Sequence, residues 1–264
     1  MSARHVLRAD HGPVVVLTLN RPERRNALAR VLIEQLGDAL SQVAIEPRPR
    51  AVILTGAGPV FCAGMDLKEA VVEAGDGGDE AEARAVSEVQ AIADLIAQLH
   101  QLTKPVIAAL NGDAYAGGAG LALACDFVLA AEHVKIGYPE VRRGLVAAVV
   151  MHDLILQVGT RRARSLLLTG EPIGAAEAER WGLVNQVVPA ERLLGAALAL
   201  GQSLTHSAPL AIQTTKRLLD EASGRPIDLR GSAAITAAVR VSEEAREGMN
   251  AFLEKRPPRW DLKA

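Results

Sequence analysis

The sequence is poor in aromatic residues, cysteine and net charge, and each shortage excludes a class of protein. Aromatic residues make up 3% of the chain and the net charge is −2, so a nucleic-acid-binding surface with basic and stacking side chains is not expected. The two cysteines, Cys62 and Cys125, have apolar neighbours, which predicts buried reduced thiols rather than a disulfide framework. No apolar run approaches the roughly 18 residues of a membrane span, and the first residues lack the apolar core of a signal peptide. A cytoplasmic protein is therefore expected.

The composition is that of a protein with a substantial core. Of the 264 residues, 49% are hydrophobic and 23% are charged, enough for one sizeable domain. In the first half, short apolar runs that predict strands alternate with helical patterns, which favours an α/β fold with parallel strands. The predicted strands are Val14–Asn20, Ala51–Gly56, Lys104–Leu110, Phe127–Ala131 and Val134–Gly137.

Helices are predicted from the 3.6-residue spacing of apolar side chains. In the first half they cover Asn26–Val43 and Ala81–Leu102, and the acidic, Gly-rich Glu73–Glu80 is predicted to be a mobile loop. The second half is predicted to be helical, with segments Val149–Val158, Thr160–Thr169, Gly174–Trp181, Ala190–Thr205, Pro209–Ala222, Leu229–Glu247 and Met249–Lys255.

Two stretches combine a buried strand, a loop of small residues and a helix start. Asn111–Asp126 (NGDAYAGGAGLALACD) follows one strand and leads into an uncharged helical segment, Leu121–Cys125. The other follows Ala51–Gly56 and turns through AGPVFCAGMDLKE into a helix predicted at Met65–Leu67. Free N–H groups at a helix start attract an oxygen that carries negative charge, so two such loops can form an oxyanion hole. Small residues that only allow tight helix–strand packing are the alternative.

The motifs of the chain, and their order along the sequence, resemble those of the enoyl-CoA hydratase/isomerase (crotonase) family. The resemblance runs from about Val14 to the end, on NRPERRNAL from Asn20, FCAGMDLKE from Phe61, KPVIAALNGDAYAGGAGLALACDF from Lys104, IGYPEVRRGL from Ile136 and LTGEPIGAAEAERWGLVNQVV from Leu168. It implies a spiral of ββα units over residues 1–200 and a helical trimerisation region over residues 201–264. It also implies a homotrimer or a dimer of trimers.

The resemblance places the chemistry on three residues. The backbone N–H groups of Met65 and Gly117 match the two donors that stabilise the thioester oxyanion of an acyl-CoA. Glu140, after the Pro139 bend, matches one of the two catalytic glutamates of the hydratases. Without the resemblance, Glu140 would be interpreted as a surface residue paired with Arg142 or Arg143; with it, we expect a catalytic acid–base group.

For the CoA moiety, the resemblance implies a mixed set of cationic, small apolar and backbone contacts. Cations suit the phosphates, and small apolar surface suits the pantetheine. The set is Arg24, Ala27, Ala63, Asp66, Leu67, Lys68, Phe252 and Lys255. Tyr115, which could reach the acyl group, Gly118 and Pro139 are further predicted to contact the acyl-CoA substrate. In the family, the residues at the positions of Phe252 and Lys255 can come from a neighbouring subunit. The CoA thioester is the substrate, so neither a cofactor nor a metal ion is expected.

The sequence also departs from the family pattern. The first glutamate of two-glutamate hydratases falls on Gly120, and the aspartate of related dienoyl-CoA isomerases and aryl-CoA dehalogenases falls on Ala148. A site with Glu140 as its single carboxylate can add water to a 2-enoyl-CoA, or it can move a proton between α and γ carbons as a Δ3–Δ2 enoyl-CoA isomerase. The segment GLVAAVVMHDLI resembles that of bacterial methylglutaconyl-type hydratases, which favours hydration. A non-catalytic acyl-CoA-binding homologue stays possible, although retention of Glu140 argues against it.

Three further polar residues are not expected to be catalytic. Asp126 is expected to be a buried hydrogen-bonding partner for the backbone near the strand. His152 could reach the pocket, but a histidine on a helix face is more often structural. His100, near the end of a long amphipathic helix, is expected to be solvated.

Overall fold

A computed structural model describes residues 4–74, 79–207, 209–222 and 229–257. The strands of these ranges are β1 (Val6–His11), β2 (Val14–Leu19), β3 (Ala51–Gly56), β4 (Val60–Cys62), β5 (Val106–Leu110), β6 (Asp113–Tyr115), β7 (Phe127–Ala131), β8 (Lys135–Gly137), β9 (Ile173–Gly174) and β10 (Gln186–Val188). The helices are α1 (Arg30–Ile45), α2 (Leu67–Ala74), α3 (Asp79–Gln101), α4 (Gly117–Leu123), α5 (Met151–Thr169), α6 (Ala175–Trp181), α7 (Leu193–Leu204), α8 (Pro209–Ala222), α9 (Leu229–Arg240) and α10 (Glu243–Leu253).

The larger sheet carries most of the core, with strand order β1-β2-β3-β5-β7-β10. The hairpin of β1 and β2 is antiparallel, and the remaining neighbours are parallel. Strand β5 (VIAAL) is buried at every position, as expected for a parallel strand covered on both faces. Helix α7 packs close to this sheet, where a Cβ on Gly201 would lie 3.0 Å from Val14 Cγ1.

The smaller sheet positions the functional loops. Its order is β4-β6-β8-β9, and β4, β6 and β8 are parallel to one another. The carboxyl ends of three adjacent parallel strands therefore open on one edge of the sheet, the place where α/β proteins bind ligands. The loop after each of these strands contains one of the three residues expected to carry the chemistry: Met65, Gly117 and Glu140.

The α/β fold predicted from the sequence is confirmed, and the predicted strands lie within one or two residues of the observed ones. The strands β1, β4, β6, β9 and β10 were not predicted. Strands β4, β6, β9 and β10 have only two or three residues each, which carry no periodic signal, and the six residues of β1 are mostly exposed and half of them are polar. The helix predicted from Asn26 begins at Arg30 instead. Asn26 has a φ of 52° and is fully buried, and its side-chain amide donates to the Ala57 carbonyl before β4 and to the Val60 carbonyl at its start.

Helix ends differ from the prediction where glycine or backbone pairing intervenes. Helix α4 begins at Gly117, four residues before the segment predicted from Leu121. Met65 is extended and pairs with Leu28, so α2 begins at Leu67 rather than Met65. The two helical segments predicted on either side of Gly159 are confirmed: within α5 they are separated by a kink at that glycine, whose backbone is not helical (φ 71°, ψ 164°).

The C-terminal helices cover the edge where the functional loops lie. Helix α9 packs along α3, and α10 contacts α2 and the segment after β8. The helix predicted over Leu229–Glu247 is interrupted, because Ser242 ends it and caps α10 by accepting from the Ala245 N–H. Helices α2 and α3 extend into the predicted loop Glu73–Glu80, whose residues 75–78 lie outside the described ones. Helix α7 crosses residue 200, and the two-part division remains a prediction.

A search of the described residues finds no helix long and apolar enough to span a membrane.

Candidate active site

The two loops expected to donate N–H groups lie side by side. Strands β4 and β6 pair Cys62 with Ala114, and each strand is followed at once by its loop. Gly64 has a φ of 84°, and a Cβ built on it would lie 2.7 Å from Ala116 Cβ and 3.2 Å from the Gly117 nitrogen. Only glycine permits this approach, which brings the peptide before Met65 against the start of α4.

Both N–H groups are left without a helical or sheet partner by the local backbone. Leu28 donates to the Gly64 carbonyl at 2.8 Å and accepts from the Asp66 N–H at 3.3 Å, so its bridge to Met65 does not use the Met65 N–H. Gly117 is the first residue of α4, where an N–H has no acceptor one turn earlier. The arrangement leaves two donors for an oxygen that carries negative charge.

Backbone strain lies immediately before the second donor. Ala116 has φ 52° and ψ −126°, which an L residue rarely adopts. Its N–H donates to the Gly137 carbonyl at 2.9 Å, tying the loop to strand β8. Such strain costs on the order of 1–3 kcal/mol and persists only where the surrounding structure enforces it.

An ion pair fixes the loop that carries Met65. The buried carboxylate of Asp66 accepts from Arg21 Nη1 at 2.7 Å through Oδ2. Its Oδ1 accepts from the Lys68 N–H at 3.0 Å, which caps α2. Asp66, predicted as a CoA contact, therefore has its carboxylate committed to holding this loop.

The acid–base candidate follows strand β8, on a 3₁₀ turn at Pro139–Arg143 that we call the Glu140 turn. Residue Glu140 is half-buried as a whole, but its Oε2 atom is buried and has no hydrogen-bond partner among the described residues. Burial raises the pKa of this carboxyl to about 7, against the lowering effect of a backbone hydrogen bond and of Arg143. A carboxyl with this pKa exchanges protons readily near neutral pH.

The arginines after Glu140 do not hold it in a surface ion pair. Arg142 pairs with Glu171 and donates to the Thr169 carbonyl instead. Arg143 lies over the Phe252 ring at 4.3 Å and donates to the Pro139 carbonyl at 3.2 Å. Phe252 of the same chain thus reaches the Glu140 turn.

Position 120 has no room for a second carboxylate. A Cβ on Gly120 would collide with Val150 Cγ1 and lie 2.9 Å from Val150 Cβ. Ile96 Cδ1 would lie 3.4 Å away on the other side. Any longer side chain at this position would require Val150 to move.

Residues predicted to contact CoA surround the two loops. The segment with Arg24 and Ala27 is joined to Ala63 by a hydrogen bond from the Ala63 N–H to the Arg25 carbonyl at 3.1 Å. Arg24, Lys68 and Lys255 are exposed, Ala63, Leu67, Tyr115 and Pro139 are half-buried, and Ala27 and Gly118 are buried. The space at Gly118 is taken by strand β4, since a Cβ there would lie 2.7 Å from Cys62 Cβ. The roles of these residues stay predictions.

Among the other polar residues, one prediction was wrong and another was only partly right. His100 is not solvated: its Nε2 lies 2.9 Å from Asp153 Oδ2, and both side chains are largely buried. Asp126 does bond the backbone, since its Oδ2 accepts from the Val106 N–H at 2.8 Å, but the residue is exposed rather than buried because it lies at the surface end of this contact. No group of three or more potential metal-binding His, Cys, Asp or Glu side chains occurs in the ranges that the structure describes.

Sequence reasoning missed several residues that shape the site. The phenol of Tyr138, two residues before Glu140, is fully buried. The strain at Ala116 leaves no sequence signal, because alanine is not among the residues, such as glycine, Asn and Asp, that indicate a positive φ. The partner of His100 lies 53 residues away, a separation that no local pattern encodes.

Comparison with known proteins identifies the family. The model of the enoyl-CoA hydratase/isomerase family matches residues 10–263. An enoyl-CoA hydratase of Mycobacterium tuberculosis is 36% identical over 255 residues, which cover 94% of this chain and 93% of that protein. The crystal structure of an enoyl-CoA hydratase from Mycobacterium avium has a TM-score of 0.85 at 34% identity, covering 98% of this chain and 100% of the other.

A solved structure of a different activity is also similar. That of a monofunctional enoyl-CoA isomerase from Mycobacterium smegmatis has a TM-score of 0.71 at 32% identity, covering 88% of this chain and 99% of that one. The fold is thus that of the crotonase enzymes. The chain belongs to the enoyl-CoA hydratase/isomerase family.

Proposed function

We propose that the protein adds water to a 2-enoyl-CoA thioester, with Glu140 as its single catalytic carboxylate. One observation carries this proposal: the Oε2 atom of Glu140 is buried and has no hydrogen-bond partner among the described residues. Glu140 follows strand β8, beside the strands whose loops contain Met65 and Gly117. The collision that a side chain at Gly120 would have with Val150 supports a one-carboxylate mechanism. Hydratases among the similar proteins support hydration as the reaction.

In this mechanism, the thioester carbonyl accepts hydrogen bonds from the N–H groups of Met65 and Gly117. Attack of water at the β-carbon moves an electron pair through the α-carbon to that oxygen, which becomes enolate-like. Each donor of such a hole is worth on the order of 10²–10³ in rate. Ionised Glu140 takes the proton from the attacking water and returns it to the α-carbon as the enolate collapses, so one carboxylate completes the addition.

The CoA part is proposed to lie along the loops at residues 24–27 and 63–68, with Arg24, Lys68 and Lys255 available for phosphates. We also propose that no cofactor takes part, since the thioester itself is activated by hydrogen bonds. Tyr115 and Phe252, near the Glu140 turn, are proposed to line the acyl end. A cytoplasmic trimer or dimer of trimers is the proposed assembly.

The test is Glu140→Gln, which keeps the size of the side chain and removes its acid–base function. Turnover of a 2-enoyl-CoA should fall about 10²–10⁴-fold, while the affinity for a saturated acyl-CoA is retained. Glu132→Gln is the matched control, since Glu132 is exposed after strand β7. An unchanged turnover rate for Glu140→Gln would remove this mechanism.

The second candidate is a Δ3–Δ2 enoyl-CoA isomerase. One carboxylate is sufficient to carry a proton between the α and γ carbons, and a monofunctional isomerase is among the similar structures. Glu140 would then abstract and return the same proton with no water added. A product isomer of unchanged mass from a 3-enoyl-CoA, with no hydration of a 2-enoyl-CoA, would favour this alternative.

A further inference from the structure

Helix α10 lies against the backbone of the Glu140 turn, and Gly248 makes this approach possible. A Cβ built on Gly248 would lie 2.1 Å from the carbonyl oxygen of Arg143 and 2.2 Å from its carbonyl carbon. These are backbone atoms, which no change of rotamer can move aside. Any side chain at position 248 would therefore force α10 and the turn apart by about 1 Å or more before an ordinary contact is reached.

The contacted backbone is coupled to Glu140 by the hydrogen bonds of the turn. Arg143 lies on the same 3₁₀ turn, three residues after Glu140. The Leu145 N–H closes the turn by donating to the Glu140 carbonyl at 3.0 Å. The guanidinium of Arg143 donates to the Pro139 carbonyl at 3.2 Å and lies 4.3 Å from the centre of the Phe252 ring, on α10. A displacement of the Arg143 carbonyl would thus be passed on to Glu140.

The same helix also packs against the loop that carries the Met65 donor. A small apolar cluster, separate from the main core, is formed by Ala70 of α2, Leu145 just after the Glu140 turn, and Ala245 and Met249 of α10, all at most 6% exposed. The Met65 side chain packs against this cluster. Since positions 245, 248, 249 and 252 share one face of a helix, a single surface of α10 holds the Glu140 turn and the Met65 loop together.

Three other glycines with close neighbours differ from Gly248 in what they touch. The nearest atoms to a Cβ on Gly112 or Gly118 belong to residues 59–62, on or next to β4. Those approaches hold the paired strands β4 and β6 together. Gly170 does approach the Glu140 turn, but its neighbour at 3.0 Å is the flexible side chain of Arg142. The approach at Gly248 is to the backbone of the turn, so it bears directly on the position of the carboxylate.

We propose that Gly248 and Met249 are positioning residues, through which α10 sets the separation between the Glu140 carboxylate and the N–H donor of Met65. Hydration needs both groups in place around one thioester, with the carboxylate at the attacking water and the donor at the carbonyl oxygen. A misplacement of about 1 Å in such a site can cost on the order of 10²-fold in rate. This role rests on the proposed function, in which both groups act on the substrate.

The test is Gly248→Ala, with Gly201→Ala as the matched control. In Gly248→Ala, kcat for a 2-enoyl-CoA should fall about 10–100-fold, while the Kd of a saturated acyl-CoA stays within about threefold of wild type. The control is overpacked away from the site, because a Cβ on Gly201 would lie 3.0 Å from Val14 Cγ1, and it should keep the wild-type kcat. Three results would overturn the inference: a wild-type kcat in Gly248→Ala, a loss of kcat that the control shares, or an equally large loss of acyl-CoA affinity.

Hydrogen exchange follows the turn without any turnover. The Leu145 amide should exchange at least about tenfold faster in Gly248→Ala than in wild type, and no faster in Gly201→Ala than amides elsewhere in that variant. An unchanged Leu145 rate in Gly248→Ala would also overturn the inference. Failure of the proposed function shows instead in the wild type, which would then neither hydrate a 2-enoyl-CoA nor isomerise a 3-enoyl-CoA.

Met249→Ala tests the same surface if Gly248→Ala does not fold. It removes the side chain that packs in the small cluster beside Met65 and should lower kcat about tenfold. Its matched control is Leu40→Ala, which truncates a buried side chain of α1 in the main core and should destabilise the protein with kcat unchanged. A wild-type kcat in Met249→Ala would show that α10 only packs against the site.

Discussion

Adding a single methyl group to position 120 tests why a second glutamate is missing. Gly120 lies in the middle of α4, where alanine would ordinarily stabilise the helix by about 1 kcal/mol. The new Cβ would collide with Val150 Cγ1 and lie 2.9 Å from its Cβ. Overpacking of a core typically costs about 1–3 kcal/mol, so Gly120→Ala should lower the free energy of unfolding by up to about 2 kcal/mol.

Gly195→Ala is the matched control, because a Cβ at that helical glycine meets nothing within 4 Å. This control should raise the free energy of unfolding by about 0.5–1 kcal/mol in the same urea titration. Val150→Ala removes Cγ1, the atom of the worst collision, and leaves only the Cβ at 2.9 Å, so the double variant should be more stable than the sum of the single changes by about 1 kcal/mol. Stabilisation by Gly120→Ala alone, or strict additivity with Val150→Ala, would refute the packing argument.

Three other changes have defined outcomes. Ionisation of Glu140 opposes folding, because its pKa rises from 4.5 to about 7 in the folded protein: this contribution to stability is complete below pH 4.5 and is lost as the pH rises through 7. At pH 8, Glu140→Gln should therefore be more stable than wild type by up to about 3 kcal/mol and should unfold at a higher temperature. At pH 4 the two proteins should unfold at the same temperature, and equal shifts at both pH values would contradict this. Asp66→Ala removes a helix cap and the 2.7 Å partner of Arg21, which keeps Glu69 at 3.8 Å, so a urea titration should show a loss of about 1–3 kcal/mol, and Asp66→Asn, which keeps the cap, should lose less; equal losses would argue against the cap. Ala116→Gly relieves a strained φ of 52° and should stabilise the protein by about 1 kcal/mol while slowing turnover, measured by calorimetry and initial rates; destabilisation would show that no strain is stored there.

The strands and helices that the sequence predicts correctly have a strong local signal. Ala51–Gly56 and Pro209–Ala222 match the predicted bounds, since each is a periodic or continuous apolar run between breaking residues. Strands β4 and β6 have no such run, yet they form the sheet that brings Met65 near Gly117. Their pairing is determined by contacts between residues more than 50 positions apart, which local periodicity does not encode.

The site follows the same division between local and distant information. Glu140, Met65 and Gly117 were located through motifs, because each stands in a short segment with a distinctive residue order. The obstacle at Gly120 depends on Val150, thirty residues later, and on the turn that leads into α5 and places Val150 there. Likewise, His100 was expected in solvent because its helix predicts an exposed end, and only the tertiary fold brings Asp153 to it.

The most direct test of the central claim uses the purified protein with crotonyl-CoA and, separately, 3-hexenoyl-CoA. Products are identified by mass spectrometry and chromatography, with Glu140→Gln as the inactive reference. Hydration through a single glutamate predicts that crotonyl-CoA gains the mass of one water and that Glu140→Gln loses this activity. Isomerisation of 3-hexenoyl-CoA without any hydration of crotonyl-CoA, or full hydration by Glu140→Gln, would contradict the account.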